Sequence, residues 1–297
     1  MTPALVVVNP TAGGGRTERL WPQLRDDLHR LGLSFDWVAT TRPGQAIELA
    51  REGIAAGRDL LVAVGGDGTL NEVVNGAAGE AGTRIRVGAV LTGRGRDAAR
   101  NLGLAADPRS AVRRLVHGAD VPFDLVLAEW PGGGRRFVVG VAGAGFDATV
   151  AARAGRVRAP GTLPYLWAVL TALSAHRPAL AEIDADGEHI TAGPVTAVVV
   201  ANGAYYGGGM KIAPAADARD GRLDLVVLGD VGRLQLARWL PTVYRGHHLA
   251  NPRVLMRTAR SVTIRAPRAL PVHVDGEAVA PTPVCLTVRP GALRLRV

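Results

Sequence analysis

An order of apolar run, loop and helical spacing repeats through residues 4–121, and it restricts the fold of this stretch more than any other feature. Residues 5–8 form a short, largely β-branched run, and Leu20, Leu24, Leu28 and Leu31 follow at the spacing that lines one helix face. Residues 60–64 repeat the pattern, with Leu70, Val73, Val74 and Ala77 on the next helical face. Residues 85–91 supply another strand, and helices are expected around 98–102 and 111–116. Continuous apolar strands separated by helices bury both faces of a sheet. The expectation is therefore a doubly wound α/β domain with a parallel sheet, spanning residues 1–122.

After Pro122 the texture changes to short β-rich runs at 125–128, 137–141, 195–200, 223–228, 261–265, 271–274 and 284–288. They predict a β-sandwich-like domain over residues 123–297, with helical insertions at 163–173 and 234–244 and a hairpin loop at Pro131-Gly132-Gly133-Gly134. A chain of 297 residues, 47% hydrophobic and 21% charged, has enough apolar material for two cores and is not disordered throughout. Its densest apolar stretch, 163–173, is about half the ~20 residues a membrane span needs, and no charged signal-peptide start precedes the first strand. With Cys285 as the single cysteine, no internal disulfide is possible and a reducing, cytoplasmic setting is expected. The formal charge of +9 favours an anionic partner such as a phospholipid surface or nucleotide phosphates. Aromatics at 4%, no basic recognition helix and no zinc spacing argue against nucleic acid. Oligomeric state has no signature in the sequence.

Two loops carry the candidate chemistry of the first domain. Asn9-Pro10-Thr11-Ala12-Gly13-Gly14-Gly15-Arg16 lies between a strand and a helix, where glycines let backbone N–H groups approach an anion. The same string is also compatible with a plain flexible turn. Gly65-Gly66-Asp67-Gly68-Thr69-Leu70-Asn71-Glu72 sets a carboxylate among small residues, within reach of a sugar hydroxyl, a metal or a phosphate. It lacks the Gly-Lys-Ser/Thr of a Walker loop and the Gly-x-Gly-x-x-Gly of dinucleotide sites.

Two further constellations lie in the second half. The string from Asn202 to Pro214, which contains Gly207-Gly208-Gly209 and the chain's only lysine, Lys211, runs on to Asp217, Asp220 and Arg222. Asp217 and Asp220 with a backbone carbonyl suit a hard cation, and equally a solvated acidic turn. In Val274-Asp275-Gly276-Glu277 one carboxylate can orient or bind metal while the other accepts the proton of an attacking hydroxyl; a surface β-turn reads the same locally.

The Gly65-Gly66-Asp67-Gly68-Thr69 loop resembles the nucleotide loop shared by diacylglycerol, sphingosine and ceramide kinases, NAD kinases and phosphofructokinases. Asn9-Pro10 with its glycines, and the spacing of Thr40, Gly44 and Ala46, narrow the resemblance to the lipid-kinase branch. Gly143-Ala144-Gly145-Phe146-Asp147-Ala148, Tyr165-Leu166 and Gly246-His247-His248 extend it along the chain; the two histidines are read as structural or rim residues. The resemblance implies an NAD-kinase-like α/β domain followed by a β-sandwich, with the active site in the cleft between them. It implies ATP contacts from Asn9, Pro10, Thr11, Ala12, Gly13, Thr40, Gly65, Gly66, Asp67, Gly68, Thr69, Leu70 and Asn71. Magnesium is implied on Asp217, Asp220 and the Arg222 carbonyl, and the proton acceptor is implied on Glu277, with Asp275 beside it and Asp67 as the second choice.

The chain departs from the family pattern Pro-x-Gly-Thr-x-Asn-Asp-Phe-Ala-Arg at Leu91-Thr92-Gly93-Arg94-Gly95-Arg96-Asp97-Ala98-Ala99-Arg100, where Arg94 and Arg96 replace a Thr and an Asn. Arg94 and Arg96 either grip the nucleotide phosphates in a bidentate manner, which is the reading preferred here, or fill the pocket and obstruct the nucleotide. The expected function is an ATP-dependent lipid kinase that phosphorylates a lipid alcohol such as diacylglycerol, cytoplasmic and in peripheral contact with an anionic inner membrane face. The alternatives are a lipid-binding pseudokinase, if the two arginines obstruct the pocket, and an NAD kinase-like enzyme.

Overall fold

A computed structural model describes residues 2–78, 85–93, 95, 97–104, 107–154 and 163–297. The chain forms two compact units, Met1–Leu125 with Pro290–Val297, and Val126–Arg289.

The first unit runs β1 (Ala4–Val8), α1 (Ala12–Arg30), β2 (Phe35–Ala39), α2 (Gln45–Ala55), β3 (Leu60–Gly65), α3 (Asp67–Ala77), β4 (Arg86–Leu91), α4 (Asp97–Asn101) and α5 (Pro108–His117). Its strands lie in the order β4-β3-β1-β2 and all pair in parallel. The central strand β3 is buried along its whole length, as an unbroken apolar run between two helical layers must be. Trp21, Leu24 and Leu28 of α1 pack with Val6, Val62, Val64, Val112 and Leu115 on one face. Each large apolar side chain withdrawn from water contributes about 1.5–3 kcal/mol. From β1 the chain steps outward to β2 and then returns across β1 to β3, so the winding reverses between β1 and β3. In such sheets a ligand crevice opens beyond the carboxyl ends of the strands at that switch point.

The β2–α2 pair was not read from the sequence. β2 is an edge strand in which Asp36 and Trp37 are exposed, so it lacks a buried apolar run. Regular helix in α1 begins only at Arg16, because Gly13, Gly14 and Gly15 hold positive φ angles.

The second unit takes in the end of β5 (Asp120–Trp130), then β6 (Gly134–Val138), β7 (Val141–Gly145), α6 (Phe146–Ala154), α7 (Leu163–Ala175), β8 (Ala179–Ala185), β9 (Glu188–Ala201), β10 (Tyr205–Tyr206) and β11 (Met210–Lys211). It continues with β12 (Leu223–Gly229), α8 (Arg233–Trp239), β13 (Val254–Ala259), β14 (Ser261–Arg265), β15 (Val272–Val274), β16 (Glu277–Ala278) and the start of β17 (Val284–Arg296). Pairing within this unit is antiparallel, and β9 organises it. The first half of β9 pairs with β8, and its second half runs between β7 and β12. Val198, Val200, Leu223, Leu225, Val262, Ile264 and Leu286 fill the interior. The helix expected over 234–244 divides into α8 and a 3-10 turn, Leu240–Arg245. Pro241, which has no N–H to donate, sits at the start of that turn.

The end of β17 returns to the first unit, where Arg294 and Leu295 pair in parallel with Arg86 and Val87 of β4. Arg296 grips both carboxylate oxygens of Asp120, Nη2 to Oδ2 at 2.8 Å, and donates from Nη1 to the Leu115 carbonyl at 3.0 Å. No helix among the described residues is long and apolar enough to cross a membrane.

Candidate active site

At the carboxyl edge of the first unit's sheet, the loops after β1, β3 and β4 are tied together by side chains from each. The Asn9 amide donates from Nδ2 to Thr69 Oγ1 at 3.1 Å, and its Oδ1 accepts from the backbone N–H and hydroxyl of Thr11 at 3.2 and 2.9 Å. Its backbone N–H reaches the Val64 carbonyl at 2.8 Å, so the residue leaving β1 is fixed to the end of β3. Thr92, after β4, donates its hydroxyl to the Gly65 carbonyl at 3.1 Å and its backbone N–H to the same oxygen at 2.7 Å. Its hydroxyl also shares a buried hydrogen bond with Thr17 of α1.

Gly13 shows why glycine is required in the first loop: its φ is +65°, and a Cβ there would stand 2.9 Å from the Thr92 carbonyl oxygen. Asp67 opens α3 and accepts the Asp97 N–H at 3.2 Å, which links the second loop to the start of α4. α3 has no side-chain cap at its start. Uncapped helix starts leave backbone N–H groups for an anion.

Asn9, Pro10, Thr11, Ala12, Gly13, Thr40 and Gly65 through Asn71 thus gather at one sheet edge, with the Thr40 N–H on the Val8 carbonyl at 2.8 Å. Leu70 and Asn71 are buried and support the packing of α3. Arg94 and Arg96 lie outside the described residues. No local sequence motif assigns Glu72 a role. Its two oxygens accept the N–H groups of Gly44 at 3.0 Å and Ala46 at 3.1 Å, so α3 holds the start of α2 and with it the loop after Thr40.

In the second unit, two motifs far apart in sequence converge on Val139-Gly140-Val141. The Asp275 carboxylate accepts all three backbone N–H groups, at 2.8, 2.8 and 2.9 Å, and its own N–H bonds the Val141 carbonyl at 2.9 Å. Asn202 closes the remaining accounts. Its Nδ2 donates to the Val139 carbonyl at 2.9 Å, and the N–H groups of Asn202 and Gly203 share the Gly140 carbonyl. Burial pushes the Asp275 carboxyl above its ordinary value, against three N–H bonds that favour the charged form. A carboxylate so engaged orients its turn. Its neighbour Glu277 is about half exposed and pairs with Arg136 at 2.7 Å.

A second buried pair lies against the same turn. His273 Nε2 is 3.1 Å from Asp147 Oδ2, with side chains 2% and 7% exposed, and Gly276 N–H donates to His273 Nδ1 at 3.2 Å. Asp147, His273, Asn202 and Arg136 were given no role from sequence. Asp147 lies within Gly143–Ala148 and Asn202 opens the run to Pro214, and His273 stands two residues before Asp275.

Asp217 and Asp220 are exposed in the turn before β12, and Asp220 Oδ1 accepts the Arg222 N–H at 2.8 Å. Nearby Asp224 is buried, and burial first and Asp220 second raise its carboxyl to about 6. No cluster of three or more His, Cys, Asp or Glu capable of holding a metal occurs among the described residues. The oxygen set of Asp217, Asp220 and the Arg222 carbonyl nevertheless fits magnesium chemically, since that ion keeps several waters and needs few protein ligands. Lys211 sits 5.9 Å from the Tyr205 ring centroid across the β10–β11 hairpin, a cation–π contact. His248 is buried with Nε2 on the Ile212 carbonyl at 3.0 Å, a structural role, while His247 is exposed.

Comparison with known proteins agrees with this architecture. The family model "Diacylglycerol kinase catalytic domain" matches residues 3–128, and "YegS C-terminal NAD kinase beta sandwich-like domain" matches residues 140–297. A diacylglycerol kinase of Mycobacterium tuberculosis (strain ATCC 25618 / H37Rv) is 31% identical over 97% of this chain and 93% of its own length. One from Bacillus subtilis (strain 168) is 28% identical over 93% of this chain and 90% of its own. A crystal structure of a diacylglycerol kinase from Bacillus anthracis str. Sterne superposes with a TM-score of 0.76 at 21% identity, covering 99% of this chain and 96% of that one. With an N-terminal α/β domain, a C-terminal β-sandwich-like domain and relatives alike along nearly their whole length, the chain belongs to the diacylglycerol kinase family and is a lipid kinase.

Proposed function

We propose that the protein transfers the γ-phosphoryl group of ATP to the hydroxyl of a lipid alcohol of the diacylglycerol type. The reading is carried by the joined loops at the carboxyl edge of the first unit. There the Asn9–Thr69 bond and the Thr92–Gly65 bonds hold the glycine-rich first loop beside the uncapped start of α3. Pro10 has no N–H and the Asn9, Thr11 and Ala12 N–H groups are engaged within the fold, so Asn9 to Ala12 shape the first loop. The phosphates are bound by the Gly13 N–H and by N–H groups of the Gly65–Thr69 loop, with Thr40 at the rim and Arg94 as a further phosphate ligand. Asp67 orients the second loop through the Asp97 N–H.

In the second unit Glu277 takes the proton of the attacking hydroxyl as the new oxygen–phosphorus bond forms and the bond to the ADP oxygen breaks. Asp275 fixes the turn that carries Glu277, and Arg136 orients its carboxylate. Asp217, Asp220 and the Arg222 carbonyl would hold magnesium, which when bound supplies positive charge against the triphosphate. For the lipid we propose a peripheral, anionic membrane surface. That reading is supported by the exposed Trp167 and Leu170 on α7 and Leu234 on α8, at 49%, 58% and 88%, in a chain of charge +9.

The test is transfer of labelled phosphate from ATP, with magnesium, across a panel of lipid alcohols. The expected result is a labelled phospholipid from at least one glycerolipid, and loss of that label by about a hundredfold or more in a folded Asp67→Ala protein. Equal labelling by Asp67→Ala would remove Asp67 from the site. No labelled lipid from any alcohol would end the kinase reading.

A further inference from the structure

The buried Asp147–His273 pair is absorbed neither by the sheet nor by the phosphate loops, and its geometry is directional. His273 lies on β15 opposite Gly143 of β7, and Asp147 lies in the first turn of α6. Gly143 leaves the space that the pair occupies: a Cβ there would stand 1.8 Å from Asp147 Oδ2 and 2.9 Å from His273 Nε2. Because Gly276 N–H donates to Nδ1, that nitrogen is bare and the ring hydrogen sits on Nε2, aimed at Asp147 Oδ2. The other Asp147 oxygen, Oδ1, is buried with no hydrogen-bond partner among the described residues, so the carboxylate spends its one bond on the imidazole. The line runs from Asp147 through the ring to Gly276, the residue between Asp275 and Glu277.

We infer that Asp147 and His273 are positioning residues that set the Asp275-Gly276-Glu277 turn and thereby the direction of the Glu277 carboxylate. Asp275 anchors one side of the turn to residues 139–141 through its carboxylate, and His273 anchors the other through the Gly276 N–H. With both anchors the backbone at Glu277 has one orientation. Val274 and Glu277 also pair across the β15–β16 hairpin, so losing the His273 anchor loosens the Gly276 amide and the hairpin tip rather than releasing the whole turn. The catalytic consequence rests on Glu277 as the proton acceptor; the mechanical consequence does not.

Two substitutions separate the two ends of the ring. His273→Asn places an amide oxygen near the Nδ1 position and keeps an acceptor for Gly276, whereas His273→Gln reaches towards Asp147 and loses that acceptor. The readouts are hydrogen exchange of the Gly276 amide by nuclear magnetic resonance, and kcat and KM for ATP and a lipid alcohol. For His273→Gln, Gly276 exchange should rise and kcat fall by about tenfold each, with KM for ATP within about twofold of wild type. His273→Asn should keep Gly276 protected and kcat within about threefold. Asp147→Ala, which frees the ring without altering it, gives the same readouts should the Gln variant fail to fold. Unchanged Gly276 exchange in His273→Gln, or equal losses in the Asn and Gln variants, would overturn the inference. Glu277→Gln serves as the separate control. If it turns over like wild type, the proton-acceptor reading falls, while the Gly276 arm still decides whether His273 holds the turn.

Discussion

Arg296 and Asp120 show how much a single long-range pair can fix. The guanidinium meets both carboxylate oxygens, the two side chains are only 11% and 19% exposed, and Arg86 adds a second cation at 3.7 Å. Burial alone would push the Asp120 carboxyl up; Arg296, with Arg86 and Arg294, outweighs burial and holds it below the usual carboxylate range. A carboxyl depressed in the folded state contributes stability that is present above its ordinary value near 4 and is lost as pH falls through the lower folded value. Arg296→Ala should therefore destabilise the protein by about 1.5–3 kcal/mol at pH 7, the range for hydrogen bonds to a charged group. The difference from wild type should shrink at an acid pH well below the usual carboxylate range, where Asp120 takes up its proton. Urea unfolding at the two pH values reads this directly. A variant as stable as wild type at pH 7 would show that the pair does not fix the returning strand.

At the scale of elements, the sequence was legible where one strand, one loop and one helix carry a local signature. β3 reads as a buried strand because six apolar or small residues are unbroken, and the following glycines and Asp67 mark the turn into α3. β2 was missed because an edge strand with exposed Asp36 and Trp37 has no such run, and the first seven residues of β9 were missed because they are mostly exposed. The acidic turn at 275–277 was visible as a motif, but its meaning was not. Asp275 bonds to residues 134 to 136 positions away, and no local pattern encodes those partners. The helices α7 and α8 carry a prediction of their own. Trp167, Leu170 and Leu234 expose apolar surface that a water-facing helix gains nothing by keeping. If each contributes about 1 kcal/mol on leaving water, replacing all three with serine should weaken partition onto lipid vesicles by roughly a hundredfold. Turnover of a short-chain, water-dispersed alcohol should not change. Undiminished vesicle binding by the triple variant would exclude these helices as the contact.

For the whole molecule the relevant quantity is charge, and it makes a prediction that the apolar surface does not. A formal charge of +9, carried almost wholly by arginine since Lys211 is the only lysine, creates a field that anionic lipid attracts and neutral lipid does not. Near such a surface each basic residue contributes about 1 kcal/mol, and the attraction decays over a Debye length of about 8 Å at physiological salt and about 3 Å at 1 M. Apolar insertion shows no comparable loss with salt. Sedimentation with vesicles should then resolve two contributions. Binding to phosphatidylglycerol vesicles should exceed binding to phosphatidylcholine vesicles at low salt, and the excess should vanish as salt approaches 1 M. The salt-insensitive remainder should be the same for both lipids and should be what the Trp167, Leu170 and Leu234 substitutions remove. Equal binding to the two lipids at low salt would mean that the positive charge serves nucleotide and structural ion pairs rather than the membrane. An excess that survived 1 M salt would point instead to a specific headgroup contact, because a diffuse field cannot act through that screening.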